Sequence, residues 1–309
     1  MDVLTDLLRR ARASTAMVRQ LISRPPWSVT YADAHPLTVL TTLGGPAWIR
    51  LGGAEAVRLA AGDIALVTGP GECTIADDPA TARQFTVRGG HKYLPSGERA
   101  EGHATLAPRT YGDGLPGATT MLRAAYELHG DVGTRLLALL PPLAVVPAGP
   151  RTGAALDLLT AEVSRDEPGQ DAVLARVLDL VLVLALRAWC AESAALPAWY
   201  RALGDPAIGE ALRLLHTDPA RRWTVAELAT GAGLSRAAFA ARFTSLVGEP
   251  PLAYLTGWRM TLAADLLRDT EKTVAAVAGE VGYADAFAFS VAFKRARGLS
   301  PSTWRREER

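Results

Sequence analysis

The sequence predicts an α+β chain of two domains: a β-rich N-terminal barrel with flanking helices, then an all-α domain of two helix-turn-helix motifs joined by a linker helix. Three observations predict it. Short β-rich runs punctuated by glycines fill residues 27–87, helical periodicity takes over beyond Pro150, and the stretch from Trp223 to Arg305 repeats itself.

At 309 residues the chain is long for one domain and comfortable for two. Its composition is globular, with 49% hydrophobic residues, 21% charged residues and a formal net charge of +1. Cys73 and Cys190 supply no disulfide framework, so a cytoplasmic location is expected. Asp2, Asp6, Arg9, Arg10 and Arg12 interrupt the N-terminal apolar run, which argues against a signal peptide. The most apolar stretch, Val173 to Trp189, contains Arg176, Asp179 and Arg187, so it reads as a buried helix and no membrane partner is expected.

Residues 3–22 place apolar side chains at Val3, Leu4, Leu7, Leu8, Met17, Val18, Leu21 and Ile22, a spacing that predicts one amphipathic helix stopped by Pro25-Pro26. Strands are expected at Trp27–Tyr31, Leu37–Leu43, Ala47–Leu51, Ala56–Leu59, Ile64–Val67 and Phe85–Val87, and another at Ala118–Tyr126. Gly44-Gly45, Gly52-Gly53 and Gly69-Pro70-Gly71 mark the turns. So many short, closely spaced strands indicate a barrel or sandwich. Ala154–Val163 and Asp171–Ala191 read as helices broken by Pro168-Gly169. In the second, Val173, Leu174, Val177, Leu178, Val181, Leu182 and Leu184 occupy more than one face. Either the pair packs fully inside the domain or one stripe meets a second subunit. Pro197 to Pro206 forms the joint, where Asp205 caps a helix over Ala207–Leu215. The expected divisions are 1–148 for the barrel, 149–200 for the helical pair and 205–309 for the tandem motifs.

In the repeat, Thr224 and Gly233 map onto Thr273 and Gly282 at an offset of 49. Ser235, Phe239, Phe243, Gly248, Pro251 and Tyr254 map onto Asp285, Phe289, Phe293, Gly298, Pro301 and Trp304 at an offset of 50, one residue having entered the second turn. In each copy a short helix with a small-residue corner leads into a second helix, with Ser235 or Asp285 as its N-cap. Phe239 and Phe243, like Phe289 and Phe293, stand i, i+4 and face the motif's own core, which leaves the opposite face for a groove.

The residues Pro250-Pro251-Leu252-Ala253-Tyr254-Leu255, Trp258-Arg259-Met260, Val281-Gly282-Tyr283 and Phe293-Lys294-Arg295 through Gly298-Leu299-Ser300-Pro301 make this segment similar to the DNA-binding domain of AraC/XylS-type transcriptional regulators. The resemblance implies a linker helix over Pro251 to Asp269 that holds two recognition helices in successive major-groove turns. Leu59-Ala60-Ala61-Gly62-Asp63-Ile64-Ala65-Leu66 resembles a cupin turn and strand, and Leu136–Leu140 with Pro141-Pro142-Leu143 resembles the end of the cupin-like sensor of a subgroup. That second resemblance, over residues 3–195, implies a small-molecule effector for the cupin-like barrel. Double-stranded promoter DNA, RNA polymerase in the case of an activator, and a second copy of the chain are the implied partners.

On the resemblance to the AraC/XylS-type domain, Ser235 caps the first recognition helix, Ala237, Ala240 and Ala241 face the bases, and Arg236 and Arg242 anchor the backbone. In the second motif Ala286, Phe287, Ser290 and Val291 face the bases, and Lys294 and Arg295 anchor the backbone. Relatives commonly carry arginine at the positions of Ala241 and Val291; alanine and valine cannot make the bidentate arginine–guanine contact. A site rich in A·T, read by thymine methyls and shape, is therefore expected. From Asp205 onward 14 Lys and Arg face 12 Asp and Glu, so the domain is barely basic. Local clusters stand at Arg221-Arg222, Arg236, Arg242, Lys294-Arg295-Arg297 and Arg305-Arg306, while Arg259 is open between an ion pair and a DNA contact. Two other readings compete: a metal-dependent cupin enzyme, and an interaction module that has lost DNA recognition. His35, His91, His103 and His129 are scattered with no His-x-His pair and read as solvated loop residues. Cys73, standing where the subgroup often has histidine, is open between packing, ligation and redox contact, and is the only residue in the barrel to suggest a bound cofactor. No nucleophile elbow, P-loop or dinucleotide fingerprint appears, so no catalytic residue, no metal and no cofactor is expected.

Overall fold

A computed structural model describes residues 3–11, 14–33, 35–69, 71–100, 105–194 and 196–308, without the side chains of residues 14–16. His103, one of the predicted loop histidines, lies outside the described residues, as do Asp2, Arg12 and Pro70. The chain opens with α1 (Val3–Arg10), β1 (Ser14–Ser23), β2 (Ser28–Tyr31), β3 (Leu37–Leu43) and β4 (Ala47–Leu51). Next come β5 (Val57–Leu59), β6 (Ile64–Thr68), β7 (Cys73–Ala76), β8 (Phe85–Arg88) and β9 (His91–Tyr93). They are followed by β10 (Thr105–Ala107), β11 (Thr110–Gly112), β12 (Thr119–Glu127), α2 (Gly130–Leu137) and β13 (Leu143–Val146). Helices complete the chain: α3 (Pro150–Val163), α4 (Gln170–Glu192), α5 (Ala198–Arg201), α6 (Pro206–Thr217), α7 (Val225–Gly231) and α8 (Arg236–Val247). Last are α9 (Pro251–Asp269), α10 (Val274–Glu280), α11 (Ala286–Arg297) and α12 (Pro301–Glu307).

Contacts divide the chain into two compact units, Ala13–Leu128 with Leu140–Ala194, and Met1–Arg12 with His129–Leu139 and Ala195–Arg309. This line differs from a barrel over 1–148, because α1 and α2 belong with the C-terminal helices.

In the strand unit a seven-stranded sheet, β10-β11-β1-β12-β3-β6-β13, faces a six-stranded one, β5-β4-β7-β2-β8-β9. Both contribute to one core: Leu40, Val67 and Met121 from the first meet Ile49, Leu59, Cys73 and Ile75 from the second. The single helix expected over residues 3–22 is corrected: it ends at Arg10, and Ser14–Ser23 is a strand antiparallel to β12, from Ser14↔Glu127 to Ser23↔Thr119. Met17, Val18, Leu21 and Ile22 satisfy helical spacing, but a nine-residue partner strand offers their backbone a full ladder, and pairing overrides periodicity. Among the helices of this unit, α4 buries Leu174, Val177, Leu178, Val181, Leu182 and Leu186, and the Tyr126 hydroxyl donates to the Leu178 carbonyl at 2.8 Å.

The helical unit carries the repeat. Both first helices, α7 and α10, have seven residues, and both second helices, α8 and α11, have twelve. Each copy turns through a glycine of positive φ, Gly233 (+67°) and Gly282 (+84°), and ends on another, Gly248 and Gly298. The inserted residue is visible: Leu234 N–H bonds Ala229 O at 3.0 Å and Tyr283 N–H bonds Ala278 O at 2.8 Å, after which Ala284 separates Tyr283 from the cap Asp285. The α9 helix serves both copies. Tyr254 and Leu255 join the first motif's core, whereas Arg297 of the second donates to Thr261 and Arg305 to the Leu267 carbonyl.

Candidate nucleic-acid interface

Capping sets where each second helix begins. Ser235 Oγ accepts from Ala238 N–H at 3.2 Å, and Asp285 accepts from Phe287 and Ala288 N–H at 3.2 and 2.8 Å. The Phe239–Phe243 and Phe289–Phe293 pairs are fully buried, which turns the opposite faces outward. All twelve predicted contact residues are exposed or half-buried. On α8 the outer face is a run of small side chains, Ala237, Ala240 and Ala241. On α11, Phe287 (76% exposed) and Val291 (56% exposed) lie one helical turn apart. Large apolar residues this exposed on a small motif need a reason. Two hydroxyls among the twelve are already used: Ser235 caps its helix, and Ser290 donates to the Ala286 carbonyl at 2.7 Å.

The basic side chains sort into two groups. Arg242 does not stand free for phosphate: its Nε donates to Asp205 at 3.0 Å, and the arginine holds that carboxyl below its usual range. Asp205 in turn caps α6 through Ala207 and Ile208 N–H, so the ion pair ties α8 to α6. Arg221 lies over the Trp223 ring at 4.0 Å and pairs with Glu227. Arg297 pairs with Asp131, and Arg305 donates to main-chain carbonyls. Arg259 is neither an ion-pair former nor an open contact, since it donates to the carbonyls of Pro219 (2.7 Å) and Arg221 (2.8 Å). Arg222, Arg236, Lys294, Arg295 and Arg306 are exposed and have no partner among the described residues.

Sequence reasoning missed a second feature of this unit, the grip of α1 and α2. The α2 cap residue His129 makes no side-chain bond; Asp265 of α9 accepts from Asp131 and Val132 N–H instead, at 2.7 and 3.2 Å. Gly130 (φ +79°) is required there, because a Cβ would strike the Asp265 carboxylate. Asp6 of α1 lies 3.4 Å from His216 Nδ1, and His216 Nε2 is 2.8 Å from the Tyr254 hydroxyl. Burial pushes the His216 pKa down, so the ring is neutral: Nδ1–H donates to Asp6 and Nε2 accepts from Tyr254. No local pattern announces the Asp265 and Asp6 contacts, since their partners lie more than a hundred residues away.

In the strand unit Cys73 is buried in the core and free, and burial pushes its pKa up to about 12, which fits a packed thiol. His35 is half-buried with Nδ1 3.1 Å from Glu127, His91 accepts from Arg99, and His129 is exposed before α2. Among the described residues no three His, Cys, Asp or Glu side chains gather as a metal site.

Two capped, outward-facing recognition helices on one shared rod define a DNA-binding transcription regulator of the tandem helix-turn-helix class. The relatives agree. A family model described as Cupin matches residues 2–191, and one described as Helix-turn-helix domain matches residues 228–307. A putative AraC-like transcription regulator of Streptomyces lividans is 33% identical over 99% of this chain and 98% of its own length. Another, of Streptomyces antibioticus, is 33% identical over 99% of both. Among solved structures, the C-terminal domain of AraT, a response regulator from Geobacillus stearothermophilus, is 30% identical over 33% of this chain and 86% of that one, with a TM-score of 0.33. The chain belongs to the AraC-like transcription regulators.

Proposed function

We propose that α8 and α11 enter adjacent major-groove segments of promoter DNA, with Arg236, Lys294 and Arg295 on phosphates and the alanine face of α8 and Phe287–Val291 of α11 on the bases. The outward pair Phe287 and Val291 carries this reading. It suits thymine methyls and no guanine acceptor. The nineteen residues of α9 span about 28 Å at 1.5 Å per residue, comparable to one helical turn of about 34 Å. Selection of binding sites from random DNA should return A·T-rich steps under both helices; a guanine-dominated motif there contradicts the assignment. In retardation assays over a salt series, Lys294→Ala with Arg295→Ala should weaken binding to all sequences alike and lower the salt slope by about 2. An unchanged slope removes both from the phosphate contacts.

The strand unit is the effector-sensing part in this proposal, without catalysis. Its link to DNA is support from chain order: β12 lines the barrel interior, ends at Glu127, and leads into α2, whose N-terminus is held by Asp265 of the rod between the motifs. An effector that shifts β12 thereby loads the segment gripping that rod. Leu158, Val173 and Leu180 leave apolar surface exposed on α3 and α4, which supports a homodimer, and contact with RNA polymerase follows if the regulator activates. No helix among the described residues is long and apolar enough to cross a membrane, in keeping with work at promoters in the cytoplasm.

A further inference from the structure

Between the two sheets lies a cavity of about 250 Å³ lined by residues of β1, β2, β8, β9, β11 and β12. Four cationic side chains, Arg19, Lys92, Arg99 and Arg123, line it, and among the described residues no Asp or Glu does. None of the four pairs with a carboxylate among the described residues. Arg123 is the most demanding: it is 6% exposed, its guanidinium carbon sits 4.4 Å from the Tyr31 ring centre, and its Nε has no hydrogen-bond partner. Asp33 lines the small void beside Arg123, but its carboxylate accepts from Gly89 N–H. Lys92 Nζ stands 5.1 Å from the Tyr111 ring, and burial lowers its pKa to about 8. Arg99 donates to His91, which adds a polar neighbour. A buried arginine with no counter-charge among the described residues is costly to fold around, and Arg123 therefore favours an anionic ligand.

The walls narrow its chemistry. Val29, Trp27 and Met121 give the cavity an apolar side, which suits no inorganic ion. Its size is about eight water volumes, or on the order of ten non-hydrogen atoms. A guanidinium fork matches a carboxylate through two parallel bonds. We propose that the cavity binds a small amphipathic organic anion, its carboxylate seated on Arg123 and its apolar body against Val29, Trp27 and Met121. This rests on the strand unit being the sensing part and gives its ligand a chemical class.

Calorimetric titration of the full chain with phenylacetate, its neutral isostere phenylacetamide, and inorganic phosphate tests the proposal. Phenylacetate should bind at one site per chain and raise the unfolding temperature. Phenylacetamide and phosphate should each bind at least about tenfold more weakly, since an ion-assisted bond is lost in one and the apolar body in the other. Arg123→Gln should lose the site. Should that variant fold poorly, Lys92→Gln, at a half-buried position, should weaken phenylacetate severalfold while Arg213→Gln on α6 changes nothing. Equal binding of acid and amide, phosphate binding as tightly as phenylacetate, or no phenylacetate binding up to about 10 mM overturns it. Promoter-DNA retardation by the same protein separates the two readings. If DNA is bound but phenylacetate is not, only the ligand class falls. If phenylacetate is bound but leaves DNA affinity unchanged, the site stands and the sensing role falls.

Discussion

Phe293→Ala should lower stability by about 3–5 kcal/mol, the cost of emptying a fully buried aromatic site. The ring is the hub of the second motif: it lies 5.7 Å from Phe289 and 5.8 Å, edge-on, from Trp304. Phe243→Ala should cost a similar amount, because Phe243 repeats the arrangement at 5.8 Å from Phe239 and 6.0 Å from Tyr254. Phe287→Ala is the contrasting variant on the same helix. With its ring in solvent it should change stability by no more than about 0.5 kcal/mol while weakening DNA binding. Chemical denaturation and retardation of the three variants check this together. A stable Phe293→Ala protein, or a Phe287→Ala protein that unfolds easily, would mean that the faces of α11 have been exchanged.

Gly282→Ala should be the most damaging single-atom addition to the C-terminal motifs. At φ +84° any side chain costs about 1–2 kcal/mol. Here a Cβ would also strike the Ala220 carbonyl oxygen and come within 2.8 Å of Arg259 Nη2, so the corner and the α6–α7 loop must part. The Arg259 bonds to Pro219 and Arg221 hold that loop and would loosen with it. A total near 3 kcal/mol or more follows, with α11 re-aimed and DNA affinity reduced to what one motif supplies. Gly233→Ala, at the equivalent corner with φ +67° and nothing within 4 Å of the added atom, should cost only about 1 kcal/mol. Thermal unfolding of the pair decides: equal losses would show that conformation alone, not the close approach, sets the demand at Gly282.

Much of this architecture is carried by short-range chemistry. Asp205, Ser235 and Asp285 cap the helices expected of them, since a cap acts on main-chain groups two or three residues away. The Leu37–Leu43 and Ala47–Leu51 strands have the bounds their patterns suggest, and the Pro251–Asp269 rod has those the family resemblance implies. The outward face of α11 was equally legible, because burying Phe289 and Phe293 leaves Phe287 and Val291 nowhere else to point.

What lay beyond chain-local patterns depends on partners distant in sequence. Ser14–Ser23 became a strand because β12 was there to pair with it. Arg242 was drawn to Asp205, Arg259 to the Pro219 carbonyl, and Asp265 to the N-terminus of α2, each by a group no spacing rule connects to it. The four cations around the barrel cavity come from β1, β9, β12 and the segment after β9, and only the closing of two sheets gathers them, with no carboxylate among the described lining residues. Periodicity and capping act over a few residues and are written in the chain; charge pairing and strand pairing act through space, and only the folded arrangement decides them.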